Sequence, residues 1–220
     1  MLAGEVYRET QWWPNEISPG GGWAVETPDV FSTPGVETLA QALQVCMLHG
    51  LSTSDKALSA PTLIIEPGRS IIARAGVAVY QIGARKLTAG GITYLFVDGG
   101  MADNIRPALY GARYHALAVE PALASLKEEV CIAGRYCESG DVLIESVTLP
   151  YMQEGDLLAL PMVGAYCLPM ASNYNLVPRP AVILVEEGIV QVMERRETFA
   201  DMVSRYQNIS LENTFTSTDG

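Results

Sequence analysis

Lysine is almost absent from this chain of 220 residues, occurring only as Lys56, Lys86 and Lys127. With a formal net charge of −11, the sequence offers no basic face for a nucleic-acid backbone, so no nucleic-acid partner is expected. Histidine is as scarce: His49 and His115 both lack motif partners, and neither is assigned to catalysis. The cysteines Cys46, Cys131, Cys137 and Cys167 form no C-x-x-C pair, which removes zinc-ribbon and thioredoxin-type readings; no metal is expected. The N-terminus has no apolar export segment, and no apolar run reaches about 18 residues. The expectation is a cytoplasmic protein with free thiols and no membrane partner.

What is present is apolar: 49% of the residues are hydrophobic, enough for a sizeable core. Residues 1–35 read as irregular, rich in Gly, Pro and Trp. Thr33 as cap, Pro34 in the first turn and Gly50 as terminator predict a helix between them, with Leu39, Leu43 and Cys46 or Met47 at helical spacing. Thr62-Leu63-Ile64-Ile65 reads as a short, fully buried strand ending at Glu66, as in a βα unit. From about residue 76, strand candidates dominate: 76–86, 92–97, 114–119, 129–134, 142–148, 157–160, 180–186 and 189–194. The last two read as a hairpin turning at Glu186-Glu187-Gly188. A last helix is expected over 196–206, and the tryptophans and methionines read as packing residues. The fold class expected is α+β, mainly β. An antiparallel β-barrel or sandwich covers 73–206, preceded in 1–72 by the last one or two βα units of an incomplete (β/α)8 barrel and followed by a polar tail, 207–220.

Five motifs carry possible chemistry. Gly20-Gly21-Gly22 lets a backbone approach an anion, or is simply a flexible turn. Glu66-Pro67-Gly68-Arg69 sets a carboxylate to pair with a cationic ring nitrogen and an N–H and guanidinium to meet a phosphate or carboxylate, or is a turn with a surface ion pair. In the Gly-rich insert 98–110, one helical turn would put Arg106 and Tyr110 on one side, suited to a carboxylate; otherwise Arg106 is a solvated loop residue. Cys137-Glu138 joins a proton donor to a group that can bind an amine, although a buried cysteine beside a surface glutamate is the commoner meaning of such a pair. Gly164-Ala165-Tyr166 brings a hydroxyl in behind small residues, or places a tyrosine in the core.

In chain order these motifs resemble the diaminopimelate decarboxylases, pyridoxal-phosphate enzymes of the alanine racemase-like fold type. The resemblance runs from Gly20 to about Tyr206 and is most specific in VDGGMADNIRPALYGARY (97–114), YCESGD (136–141) and GAYCLPMASNYN (164–175). Ornithine and arginine decarboxylases share the GGG, EPGR and CESGD motifs, whereas RPALYGARY points to the diaminopimelate branch. The resemblance implies pyridoxal 5′-phosphate as cofactor and a small amino-acid substrate, with meso-2,6-diaminopimelate decarboxylated to L-lysine. It assigns Gly21 and Gly22 to the cofactor phosphate, Glu66 to the pyridine nitrogen, and Gly68 and Arg69 to the phosphate and substrate edge. Arg106, Tyr110 and Glu138 would bind substrate, and Tyr166 would touch both ligands. Cys137 would be the proton donor, reaching with Glu138 into the partner subunit's site, which implies a homodimer.

The resemblance also implies a lysine carrying the cofactor, far upstream of the glycine triplet. Lys56 in a polar loop, Lys86 at a strand end and Lys127 in a charged loop or helix do not match it. Residues 1–72 would then be the closing end of the cofactor-binding barrel. The chain is expected to be inactive alone and to pair with a missing N-terminal barrel segment or with itself. The alternatives are a decarboxylase of another basic amino acid and a non-catalytic, decarboxylase-like binding module, the latter disfavoured because a binder has no need of a proton donor.

Overall fold

The computed structural model describes residues 2–25, 34–52, 59–119 and 126–206, so Thr33, Lys56 and the tail 207–220 lie outside the described residues. The chain divides into two units, Met1–Met170 and Ala171–Gly220.

The first unit begins with a helix, α1 (Leu2–Thr10), where an irregular segment was expected. Its acidic Glu5 in the first turn and basic Arg8 in the last match the helix dipole, a signal masked by the Gly- and Trp-rich stretch that follows. Strand β1 (Glu16–Ile17) comes next, then α2 (Val36–Ser52), which continues past Gly50 instead of ending there. A single helical glycine costs only about 1 kcal/mol against alanine, too little to stop a helix by itself. Strand β2 (Thr62–Leu63) pairs in parallel with β1. The buried strand expected over 62–65 is thus shorter, and Ile64 is 40% exposed, because among the described residues β2 has β1 as its only strand neighbour. A short helix, α3 (Gly68–Ile72), and a 3-10 turn (Ala73–Ala75) lead into the main sheet.

That sheet contains β3 (Val77–Leu87), β4 (Thr93–Val97), β5 (Leu117–Ala118), β6 (Lys127–Ala133), β7 (Val142–Pro150) and β8 (Leu157–Pro161). The spatial order is β5-β8-β3-β4-β6-β7, and the edge strands β5 and β7 approach each other, so the sheet nearly closes as a barrel. One pair departs from the antiparallel expectation: β4 and β6 run parallel. The excursion between them, which includes α4 (Arg106–Tyr110) and β5, carries the chain back to the same end of the sheet. Lys127 opens β6 rather than lying in a loop or helix; its charged neighbours sit at the strand's outer end, where Glu128 takes a two-pronged bond from Arg85 at 2.5 and 2.7 Å.

Period-two alternation explains the core. Thr93, Leu95 and Val97 point inward from β4, while Tyr94 and Phe96 stack on the other face with centroids 5.8 Å apart. Tyr80 and Ile82 of β3, Val130 and Ile132 of β6, and Leu158 and Leu160 of β8 complete the barrel interior with Met152. Each such side chain contributes about 1.5–3 kcal/mol on burial. In β7 the inward set changes phase between Ile144 and Val147, where the β6–β7 register shifts. Trp23 packs as expected, but Trp12 and Met193 are exposed: Trp12 lies on the turn leaving α1 and Met193 on a two-stranded hairpin.

The second unit holds that hairpin, β9 (Val182–Glu186) and β10 (Ile189–Glu194). Its loop is Glu187-Gly188, both at positive φ, as a two-residue hairpin turn requires. Helix α5 (Phe199–Val203) is shorter than the span expected over 196–206, because the reciprocal cap between Thr198 and Asp201 fixes its start.

Candidate active site

The β1–β2 pair sets two of the motifs side by side. Thr62 N–H donates to Asn15 O and Ile64 N–H to Ile17 O, so both strands release their chains at the same edge. One exit is Gly20-Gly21-Gly22; the other is Glu66-Pro67-Gly68-Arg69. Gly20 and Gly22 each have φ of 81°, a left-handed conformation that favours glycine. Gly21 lies so near Glu66 that an added Cβ would stand 2.9 Å from the Glu66 carbonyl oxygen. Ser18 ties the two exits together: its Oγ donates to Glu66 Oε1 at 2.6 Å and accepts the Gly20 N–H at 3.1 Å. Arg69 donates from Nε and Nη2 to the carbonyl of buried Trp23, at 3.3 and 3.2 Å.

Two further glycines bring in the third segment. A Cβ on Gly164 would lie 2.0 Å from Ile72 O, and one on Gly76 would lie 2.2 Å from Gly164 N. The bare backbones therefore touch, sealed by Gly164 N–H to Ala73 O and Val163 N–H to Gly76 O, each at 3.1 Å. Tyr166, two residues on with φ of 66°, is thereby turned toward the Glu66 loop. The result is an open cavity of about 550 Å³ lined by Gly21, Gly22, Glu66, Gly68, Arg69 and Tyr166, with Pro67 and Ile71 as its apolar wall. That volume suits a small organic ligand.

Tyr166 also belongs to a second group. Helix α4 carries Pro107 in its first turn and ends at Gly111 in the left-handed conformation. Its single turn stacks Arg106 over Tyr110, with the guanidinium carbon 5.5 Å from the ring centroid, and the same guanidinium stands 5.2 Å from the Tyr166 ring. The solvated-loop reading of Arg106 is therefore replaced by a cation held between two tyrosines next to the cavity.

Cys137 and Glu138 sit in the turn after β6. The Glu138 carboxylate accepts from Ser139 Oγ at 3.3 Å, and Cys137 is exposed, not buried. Neither residue lines the cavity of its own chain. Of the cysteines, Cys46 is exposed and Cys131 and Cys167 are buried. Among the described residues no cluster of His, Cys, Asp or Glu could hold a metal, and no helix is long and apolar enough to cross a membrane.

The sequence motifs name the residues that line the cavity but not what holds them, which is Ser18 and the Gly76–Gly164 contact. Ser18 carried a local signal, a hydroxyl two residues before a glycine turn. The glycine contact joins residues far apart in sequence and leaves no local trace.

Comparison with known proteins identifies the family of the chain. Residues 17–164 match the family described as pyridoxal-dependent decarboxylase, C-terminal sheet domain. Diaminopimelate decarboxylase of Bacillus subtilis is 39% identical over 214 residues, covering 92% of this chain and 47% of that protein. A Synechocystis diaminopimelate decarboxylase is 37% identical, covering 86% of this chain and 40% of the relative. The crystal structure of the M. jannaschii diaminopimelate decarboxylase in complex with L-lysine superposes with a TM-score of 0.82 at 33% identity, covering 94% of this chain and 46% of that one. The chain thus spans about half the length of the relatives it matches. It belongs to the pyridoxal-dependent decarboxylase family.

Proposed function

We propose that this chain is the C-terminal part of a pyridoxal-phosphate-dependent diaminopimelate decarboxylase, a cytoplasmic homodimer that converts meso-2,6-diaminopimelate to L-lysine and CO2. The observation that carries the reading is convergence. Residues from three separate segments, Gly21 and Gly22, then Glu66, Gly68 and Arg69, and Tyr166, line one cavity, and these are the residues the resemblance assigns to the cofactor. In this reading residues 1–72 close the cofactor-binding barrel and residues 73–206 form the sheet domain.

The lining fits pyridoxal phosphate by its chemistry: a carboxylate for a protonated ring nitrogen, and glycine backbone with a guanidinium for a phosphate. When bound, that cofactor supplies an electron sink for the bonding pair left behind as CO2 departs. The residues of this chain do the rest. Glu66, oriented by Ser18, keeps a proton on the ring nitrogen. Gly21, Gly22 and Gly68 present backbone N–H groups to the phosphate, and Arg69 adds positive charge at the phosphate and substrate edge. Arg106 and Tyr110 hold the distal end of the substrate, the end that an ordinary monoamino acid lacks, and Tyr166 touches both cofactor and substrate. From the partner protomer, Glu138 takes a substrate ammonium and Cys137 Sγ delivers a proton to the substrate α-carbon.

The test is a chimera in which this chain replaces the matching C-terminal portion of the B. subtilis relative. CO2 release from meso-diaminopimelate is expected. A cofactor-loaded chimera that instead turns over ornithine or arginine, or no amino acid at all, would overturn the reading.

A further inference from the structure

We propose that Asn104 and Cys167 are positioning residues that hold Arg106 and Tyr166 in a common frame, and so shape the pocket for the distal end of the substrate. The proposal rests on the substrate-facing role given above to Arg106 and Tyr166.

Asn104 is 2% exposed and Cys167 4% exposed, and neither is itself part of the cavity lining described above. Each, however, is joined to one half of the cation–tyrosine stack. Asn104 Oδ1 accepts the backbone N–H of Arg106 at 3.3 Å, fixing the residue that opens α4. The same oxygen accepts from Cys167 Sγ at 3.4 Å, and Cys167 is the residue after Tyr166. One amide oxygen therefore bridges two chain segments that are far apart in sequence. Tyr114 completes the chain of bonds, its Oη lying 3.3 Å from Cys167 Sγ.

The direction of these bonds follows from protonation. Burial pushes both the Tyr114 hydroxyl and the Cys167 thiol above their ordinary pKa values, so both keep their protons at neutral pH. Tyr114 can donate to the sulfur, and the thiol can donate to Asn104 Oδ1. Asn104 is rooted in turn: its N–H donates to Gly100 O at 3.0 Å, in the loop that Asp141 anchors through Met101. The guanidinium of Arg106 makes no direct bond in this chain of contacts; only its backbone and its stacking partner are fixed. That is the arrangement expected of a device that aims a side chain while leaving its donors for a ligand.

The test uses the full chain and needs no ligand. The Arg106 side-chain proton resonances should lie upfield of free arginine because of the Tyr110 and Tyr166 rings. In Cys167→Ala the Tyr166 part of this displacement should be lost, leaving that of Tyr110 in the same helical turn, while Cys167→Ser, which keeps a donor, should restore it. An unchanged Arg106 shift in a folded Cys167→Ala chain would overturn the proposal. If Cys167→Ala fails to fold, Asn104→Ser decides the matter in the same way, since its shorter side chain cannot bridge both segments. In the chimera, Cys167→Ala should raise KM for diaminopimelate about tenfold with little change in kcat. A chimera inactive with both residues intact would count against the proposed activity and leave the resonance result standing.

Discussion

Asp141 holds Met101: its Oδ1 accepts the Met101 N–H at 2.7 Å, while Oδ2 accepts the Tyr136 N–H at the same distance. A Cβ on Gly100 or Gly134 would fall 2.4 or 2.2 Å from those oxygens, so both loops close tightly around the carboxylate. The loop after β4, which leads to Arg106, and the loop after β6, which carries Cys137, thus share one buried anchor. Asp141→Asn can no longer accept both N–H groups. A loss of about 1–3 kcal/mol is expected at neutral pH, the cost of a buried unpaired donor, read from urea unfolding.

Asp141 also sets a pH dependence. Burial lifts its pKa above the ordinary carboxylate value; the two backbone N–H bonds oppose that shift, and the charge of Glu138 adds to it. The native state therefore keeps this proton to higher pH than the unfolded chain does. Its contribution is fully present below the unfolded pKa and is lost as pH rises through the native one. The unfolding free energy of the wild type should include a decline from this group across that mildly acidic window. Asp141→Asn should remove this component, so that the variant's own profile is flatter and the difference between the two proteins falls across that window.

The Gly76–Gly164 contact predicts a steric effect. With Ile72 O at 2.0 Å from a Cβ placed on Gly164, backbone must move to admit even alanine. Gly164→Ala should cost about 1–3 kcal/mol, or more, by overpacking, measured as a lowered denaturant midpoint at unchanged slope. In the chimera it should also weaken pyridoxal phosphate binding, because Tyr166 would move away from the Glu66 loop.

How much of this was legible depends on whether a feature is local. The strands announced themselves through alternation, and β3, β4, β8 and β10 fall within a residue or so of where the sequence put them. Arg106 and Tyr110 could be placed together because a helical turn fixes their spacing. The parallel β4–β6 pairing was not legible, since alternation reports which face a residue occupies and not which way its neighbour runs. Helix α1 was missed because propensity in nine residues is a weak signal beside a Gly- and Trp-rich stretch. Ser18 reaches Glu66 and Asn104 reaches Cys167 across long stretches of sequence, and no local pattern names those partners.

Ser18→Ala tests the link between the glycine turn and Glu66. It removes the donor to Oε1 and the acceptor for Gly20 N–H, both at an exposed site. Its effect on stability should stay near or below about 1 kcal/mol, since water can replace both bonds. Cofactor affinity of the chimera should fall by about tenfold, equivalent to roughly 1.4 kcal/mol, in a titration followed by absorbance. Ser18→Thr keeps the hydroxyl and should recover most of that loss.

The thiols separate by exposure, and this bears on the proton donor. Cys46 and Cys137 are exposed, while Cys131 and Cys167 are buried, and burial raises the pKa of both buried thiols. An aromatic disulfide reagent should titrate two thiols quickly in the native chain and the other two only on unfolding. In the chimera, Cys137→Ala should lower kcat by about 10²–10⁴-fold, the usual range for loss of a general acid, with KM little changed. Cys46→Ala should leave turnover as it was. Because Cys137 does not line its own chain's cavity, the loss should be complemented across subunits. Mixing the Cys137→Ala chimera with a second chimera disabled at Glu66 should restore a fraction of the activity, through dimers in which an intact Cys137 faces an intact Glu66. Absence of any recovery in verified mixed dimers would place the proton donor elsewhere.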